Sequence, residues 1–190
     1  MTFILISGKP GVGKTAVCNR LHGMLDQNGT FKLRYRQPSK VACREDHITH
    51  YEKKEKNIVV STASDGDSCM VEFAKYLDSL AKMPDIIVTT IRENDDVKAA
   101  EYPMSRMLAL LDAIADGTKN LENHYNQNIA GKLPADLAPM PMRLSHNAFV
   151  LHLEKQNIGD VDNEIKVLKT FWDDNADKIK YAIDFALARL

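Results

Sequence analysis

The sequence lacks the features that mark several specialised classes of protein. Lys and Arg total 25 against 26 Asp and Glu, a formal net charge of -1, so no whole-protein field draws it to nucleic acid or an anionic membrane. Its cysteines, Cys18, Cys43 and Cys69, are odd in number and widely spaced, which excludes a disulfide framework. No apolar run approaches the roughly 20 residues that cross a bilayer, and no secretory leader pattern precedes the first predicted strand. We therefore expect a cytoplasmic protein with reduced thiols.

The most informative segment that is present is a glycine-rich octapeptide, residues 8–15, which we call the glycine loop. Its positions Gly8, Gly13, Lys14 and Thr15 satisfy the pattern glycine, any four residues, glycine, lysine, then serine or threonine. A short apolar run at residues 2–6 predicts a buried strand before the loop, and a helical apolar stripe after Lys14 predicts a helix behind it. The motif therefore stands in the strand and helix context that a phosphate-binding loop requires.

The residue types of the glycine loop have a direct chemical reading. Glycines allow backbone amides to converge on phosphate oxygens without interference from Cβ atoms. The side chain of Lys14 would reach the β- and γ-phosphates, and the Thr15 hydroxyl would be a ligand of Mg²⁺. The predicted nucleotide-binding set is Gly8, Gly11, Val12, Gly13, Lys14, Thr15 and Ala16.

Beyond the loop the sequence alternates between buried strands and amphipathic helices. Runs at residues 57–63 and 85–91 predict buried strands, and the period-two pattern of residues 31–35 predicts a strand with one polar face. Helical spacing predicts a helix through residues 71–81, which must end before Pro84, and another at 97–116, where Pro103 is tolerated only at the start of a turn. This order predicts a single three-layer α/β domain over residues 1–190 with a mainly parallel sheet.

The second half of the chain is less regular. Residues 1–116 form the predicted nucleotide-binding core, and the Asn- and Pro-rich residues 117–147 predict an irregular insertion or lid. Residues 148–153 are too short a run for periodicity to separate strand from helix, and we favour helix. Residues 148–190 are thus expected to be a helical C-terminal part, with Trp172 in its apolar stripe as a core residue.

A second acidic group should help to hold Mg²⁺ or orient a nucleophile, and we expect it at the carboxyl end of a neighbouring strand. Asp65 and Asp67 follow the predicted strand at residues 57–63, and we favour Asp65. Both residues also suit a simple turn followed by a helix cap. The predicted metal ligands are therefore Thr15 and Asp65, and Lys14 and Asp65 are predicted catalytic residues.

Residues 9–15, K-P-G-V-G-K-T, resemble the deviant Walker A loop of ParA/MinD-type ATPases, written K-G-G-x-G-K-T. The resemblance continues through residues 58–68 and 84–92 and covers the first half of the chain. It implies that Lys9 is the family's signature lysine, which crosses to the nucleotide phosphates of a dimer partner, and that ATP hydrolysis depends on dimerisation. The resemblance thus adds Lys9 to the predicted catalytic residues. The chain departs from the family at Ser61, where the family has its aspartate, and Asp65 would substitute.

Three functions therefore stand side by side. The first is Mg²⁺-dependent ATP hydrolysis, with a nucleotide-switched homodimer and a protein partner as candidates. The second is a small-molecule or nucleotide kinase, in which Arg92 and Arg143 would close over the phosphates. The third is a regulatory module that binds nucleotide and hydrolyses little. No N-K-x-D element for guanine is present, so ATP is the expected nucleotide. Cys43, His47 and His50 form a weak zinc candidate because a fourth ligand at suitable spacing is missing.

Overall fold

The computed structural model describes residues 1–38, 47–62, 66–93, 102–137, 148–156 and 161–190. Six strands in these ranges form one sheet: β1 (Thr2–Gly8), β2 (Lys32–Pro38), β3 (His47–Lys53), β4 (Lys56–Ser61), β5 (Ile86–Arg92) and β6 (Ala148–Leu153). Five α-helices accompany them: α1 (Lys14–Gln27), α2 (Asp67–Asp78), α3 (Pro103–Ala115), α4 (Leu121–Asn128) and α5 (Val161–Leu187). A 3₁₀ turn spans Pro134–Asp136. No helix among the described residues is both long and apolar enough to cross a membrane.

The strand order in the sheet is β2-β3-β4-β5-β1-β6. The neighbours from β4 to β6 all pair in parallel, whereas β3 is antiparallel to both β2 and β4. The carboxyl ends of β4, β5, β1 and β6 therefore lie along one edge of the sheet. This is the edge at which parallel α/β sheets place their ligands.

Helices cover both faces of this sheet, because alternate residues of each buried strand point to opposite sides. On one face Phe3 and Leu5 of β1 join a buried cluster with residues of α2, α3 and α4. On the other face Ile4 and Ile6 join a second cluster with residues of α1 and α5. The two clusters establish the three-layer α/β architecture that the sequence predicts.

Several elements confirm the sequence predictions. Strands β1, β2, β4 and β5 and helices α1 and α2 lie where the patterns place them, and Pro103 is the first residue of α3. Residues 97–101 of the predicted helix at 97–116 lie outside the described residues. The apolar stripe at the end of the chain forms one continuous helix, α5.

Three elements correct the predictions. Residues 148–153 form β6 and not a helix, because pairing along β1 satisfies a backbone whose six residues carry no decisive period. Residues 117–147 are not irregular throughout, since Leu121 and Tyr125 bury the apolar side of α4, and the Asp78 carboxylate accepts the first amides of that helix. Strand β3, which the sequence patterns do not predict, precedes β4, and the hairpin turn between the two strands holds Lys54 and Glu55 at positive φ.

Candidate phosphate-binding site

The glycine loop connects the carboxyl end of β1 to the first turn of α1. Gly11 has a φ of 76° and Gly13, the N-cap of α1, has a φ of 91°, and both values lie in the left-handed region that favours glycine. Gly13 has no side chain that could cap the helix, and the first amides of a helix favour an anionic partner. A Cβ on Gly11 would meet no atom of the described residues within 4 Å, so the loop is open on that side of the described structure. The backbone thus forms a cradle with space beside it.

The side chain of Lys14 folds back onto the backbone of this loop. Its side chain is only 8% exposed, and its Nζ donates to the carbonyl oxygen of Gly8 at 2.8 Å and to that of Lys9 at 3.1 Å. A buried ammonium group requires such partners because desolvation of a charge is costly. The positive charge of Lys14 is therefore held at the centre of the loop, where the sequence predicts the phosphates.

Two other parts of the fold touch the loop closely. A Cβ on Gly8 would lie 2.8 Å from the carbonyl oxygen of Leu153 in β6, and a Cβ on Gly13 would lie 2.5 Å from Nε1 of Trp172 in α5. Real Cβ atoms do not approach so near, so β6 and α5 both fit against glycine at these positions. Trp172 does pack on the core as predicted, but its position against the loop has no signal in the sequence.

A carboxylate that the sequence interpretation missed lies beside the loop. The backbone amide of Glu93 donates to the carbonyl oxygen of Gly8 at 3.2 Å, and its carboxylate contacts Nδ1 of His152. Ser7 Oγ lies 3.4 Å from the same histidine nitrogen. The position of Glu93 follows from the register of β1 with β5. Gly8 lies opposite Arg92, so Glu93, the next residue, must border the loop.

The two predicted acids have different outcomes. Asp65 lies outside the described residues. Asp67 is the first residue of α2, and its carboxylate accepts from Arg106 Nη1 at 2.7 Å and from the Tyr125 hydroxyl at 2.7 Å. The pKa of Tyr125 is raised well above its ordinary value. Burial is the largest cause, and the hydrogen bond to Asp67 is the next. The contacts of Asp67 therefore join α2, α3 and α4.

The sheet order also changes which strand adjoins the loop. β5 lies between β1 and β4, so the end of β4 is two strand spacings, about 10 Å, from the end of β1. Ser61, at the end of β4, is fully buried, and the Thr90 hydroxyl of β5 donates to the Thr62 carbonyl at 3.1 Å. Glu93 at the end of β5 is closer to the loop in strand order than any residue that follows β4.

The remaining residues predicted for the phosphate site that the structure describes lie in the glycine loop or next to it. Lys9 is exposed, Arg92 is half-buried at the end of β5, and Thr15 and Ala16 are half-buried in the first turn of α1. Arg143 and Cys43 lie outside the described residues, and only the backbone of His47 is described.

His50 does not favour the zinc interpretation. Its two ring nitrogens lie 3.0 Å from the Tyr76 hydroxyl and 3.0 Å from Asn57 Oδ1, so both have protein partners. The described ranges contain no group of three or more His, Cys, Asp or Glu residues that could hold a metal ion.

No protein-family model matches the chain, and a search of the curated proteins also finds no match. The interpretation of the site therefore depends on its own geometry.

Proposed function

We propose that this chain is a phosphate-loop protein that binds ATP with Mg²⁺ and hydrolyses its γ-phosphate. The observation that carries the proposal is the enclosed ammonium of Lys14, held by the carbonyls of Gly8 and Lys9 inside a loop whose glycines adopt left-handed conformations. A buried cation together with helix amides forms a site for a polyphosphate. The open side at Gly11 gives such a ligand a place to enter.

The residues around the loop fit Mg²⁺ and the chemistry of hydrolysis. Thr15, in the first turn of α1, carries the hydroxyl that would be a metal ligand, with Asp65 as the proposed carboxylate partner. When bound, the metal would supply positive charge to the phosphate oxygens. Glu93, anchored to Gly8 through its own amide, is suited to orient and deprotonate the attacking water. His152 contacts the Glu93 carboxylate and would fix its orientation.

Lys9 supports the dimeric form of this proposal. Its side chain is exposed next to the loop, so it can reach a second molecule. Its backbone carbonyl accepts a hydrogen bond from Lys14. A cation delivered by a partner would neutralise charge that develops on the transferred phosphoryl group. The proposed active species is then a homodimer that forms around the nucleotide.

Lys9→Ala tests this form of the function. We expect ATP affinity to stay within about twofold, because Lys14 and the amides bind the phosphates, while steady phosphate release falls by about a thousandfold, as when a trans-acting cation is removed. The wild-type rate per chain should rise with protein concentration. Lys119→Ala, an exposed lysine between α3 and α4, is the matched control and should behave as wild type.

The same assay separates the other candidate functions. Unchanged phosphate release by the Lys9 variant would rule out the trans-acting lysine. A kinase is favoured by Arg92, which lies opposite Gly8 in the β1–β5 register. A kinase would release little free phosphate under any condition, and once an acceptor is added it would form ADP together with a phosphorylated acceptor. Tight ATP binding without turnover under any of these conditions would identify a regulatory binding module, in line with Ser61 at the end of β4.

A further inference from the structure

Trp172 is the one tryptophan of the chain, and it lies on α5 against the glycine loop. The atoms of its ring nearest to the Cβ position of Gly13 are Nε1 at 2.5 Å, Cδ1 at 3.3 Å and Cε2 at 3.5 Å. These three atoms form the N–H edge of the indole ring. The ring therefore presents its polar edge, and not its apolar benzene edge, to the backbone at the start of α1.

The Trp172 N–H has no acceptor among the residues that the structure describes. Nε1 is buried from solvent, and no hydrogen-bond partner for it exists among the described residues. Indole nitrogen is only a donor, and a buried donor left unsatisfied is costly, so native proteins rarely keep one without a reason. An acceptor supplied by a ligand would remove this cost.

The residues next to Trp172 in α5 are partly buried and partly paired with α1. On its own helix Asn175 and Ala176 are buried, and Asn175 Nδ2 donates to the Phe171 carbonyl at 2.7 Å. Across the interface with α1, Arg20 Nε lies 3.2 Å from the Asp173 carboxylate. These contacts place this part of α5 beside α1, and the indole ring itself packs against the buried cluster that contains Ile4 and Ile6.

We propose that Trp172 is a phosphate-binding residue whose indole N–H donates to an oxygen of the polyphosphate held in the glycine loop. The proposal rests on the proposed function, because the loop must hold phosphate for the acceptor to be present. A phosphate oxygen is a strong acceptor, since hydrogen bonds to a charged group are shorter and stronger than neutral ones. Gly13 is then required twice, by its backbone conformation and by the space that the indole edge occupies.

The test compares Trp172→Phe with the wild-type protein by titration calorimetry, using Mg-ATP and, separately, inorganic triphosphate. Phe keeps an aromatic ring and removes the donor, so both ligands should bind about 10- to 100-fold more weakly. Tyr181→Phe is the matched control, because it removes a polar group from an aromatic residue of the same helix that is 72% exposed. This control should bind both ligands as wild type does.

The single tryptophan also gives a direct signal. Fluorescence of wild-type Trp172 should change on addition of either ligand, with the same midpoint as the calorimetry, because the acceptor contacts the ring that emits. A role in packing alone would lower the free energy of unfolding of the ligand-free Trp172→Phe protein without changing either affinity.

The outcomes are distinct. Unchanged affinity of Trp172→Phe for both ligands would overturn the proposal and leave the proposed function standing. Loss of affinity for ATP but not for triphosphate would also overturn it, because the ring would then contact the nucleoside. If the wild-type protein binds neither ligand, the proposed function fails, and this proposal fails with it.

Discussion

Lys14 and Glu93 are the two charged residues on which the account depends at the scale of single residues. Each is fixed by the carbonyl oxygen of Gly8, which accepts from Lys14 Nζ at 2.8 Å and from the Glu93 amide at 3.2 Å. One backbone group thus positions both the cation of the loop and the carboxylate at the end of β5. A cation for the phosphates and a base for water are the two groups that hydrolysis needs.

Glu93→Gln tests the role of this carboxylate. The amide is nearly the same size, so the protein should fold and bind ATP within about twofold of wild type, while turnover falls by about a hundredfold or more because the base is lost. The measurement is steady phosphate release over a range of ATP concentrations. Glu154→Gln is the control. Glu154 Oε1 lies 3.9 Å from His152 Nε2, but the Glu154 side chain is 82% exposed. Equal turnover of the two variants would remove Glu93 from the mechanism and leave Asp65 as the candidate.

At the scale of elements, the strand β5 explains both what the sequence predicted and what it did not. Residues 85–91 were identified as a strand from their β-branched run, but pattern alone does not say which strands are neighbours. The insertion of β5 between β1 and β4 puts Glu93 at the loop. The contact of Trp172 with Gly13 was equally hidden, because it depends on how α5 packs on α1.

The strand and the helix that flank residues 8–15, by contrast, could be predicted from the sequence. Residues 8–15 define their own conformation, since a strand, a set of glycines and a helix start follow one another directly. The short run at residues 148–153 could not, because its strand state comes from pairing with β1 and not from its own sequence. The part of the site formed by consecutive residues could be predicted, whereas the positions of Glu93 and Trp172, which other elements bring to the loop, could not.

Asp85 provides a test of how the strands are held together. Its backbone accepts from the Thr2 amide, and its carboxylate accepts from the Asn57 amide at 2.9 Å, so it joins the starts of β1, β4 and β5. Burial acts to raise the pKa of Asp85, but the Asn57 amide and the charges of Lys82 and Lys56 outweigh it and hold that pKa below its ordinary value.

A carboxyl group with a lowered pKa in the folded state stabilises the protein above its ordinary pKa, and this contribution is lost as pH falls through the folded value. Asp85→Asn should therefore lower the free energy of unfolding by about 1 kcal/mol at pH 7 and by less near pH 3. Urea unfolding at the two pH values measures this difference. An equal loss at both would show that the charge of Asp85 does not contribute.

At the scale of the whole molecule, the residues of the candidate site lie along one edge of the sheet. Two buried clusters cover the faces of the sheet, while the loop, Glu93 and His152 occupy the carboxyl ends of β1, β5 and β6. The net charge of -1 adds no long-range attraction for an anion, so the proposed affinity for phosphate would have to come from Lys14 and the local amides. The account's central claim is therefore a claim about one loop.

Calorimetric titration of Mg-ATP into the wild-type protein and into Lys14→Ala tests that claim most directly. We predict saturable one-to-one binding to the wild-type chain and a loss of at least about a hundredfold in affinity for the variant, since a buried charge-assisted contact to phosphate is removed. The variant should remain folded by circular dichroism. Equal affinity of the two folded proteins, or no binding by the wild type, would contradict the assignment of the glycine loop as a nucleotide site.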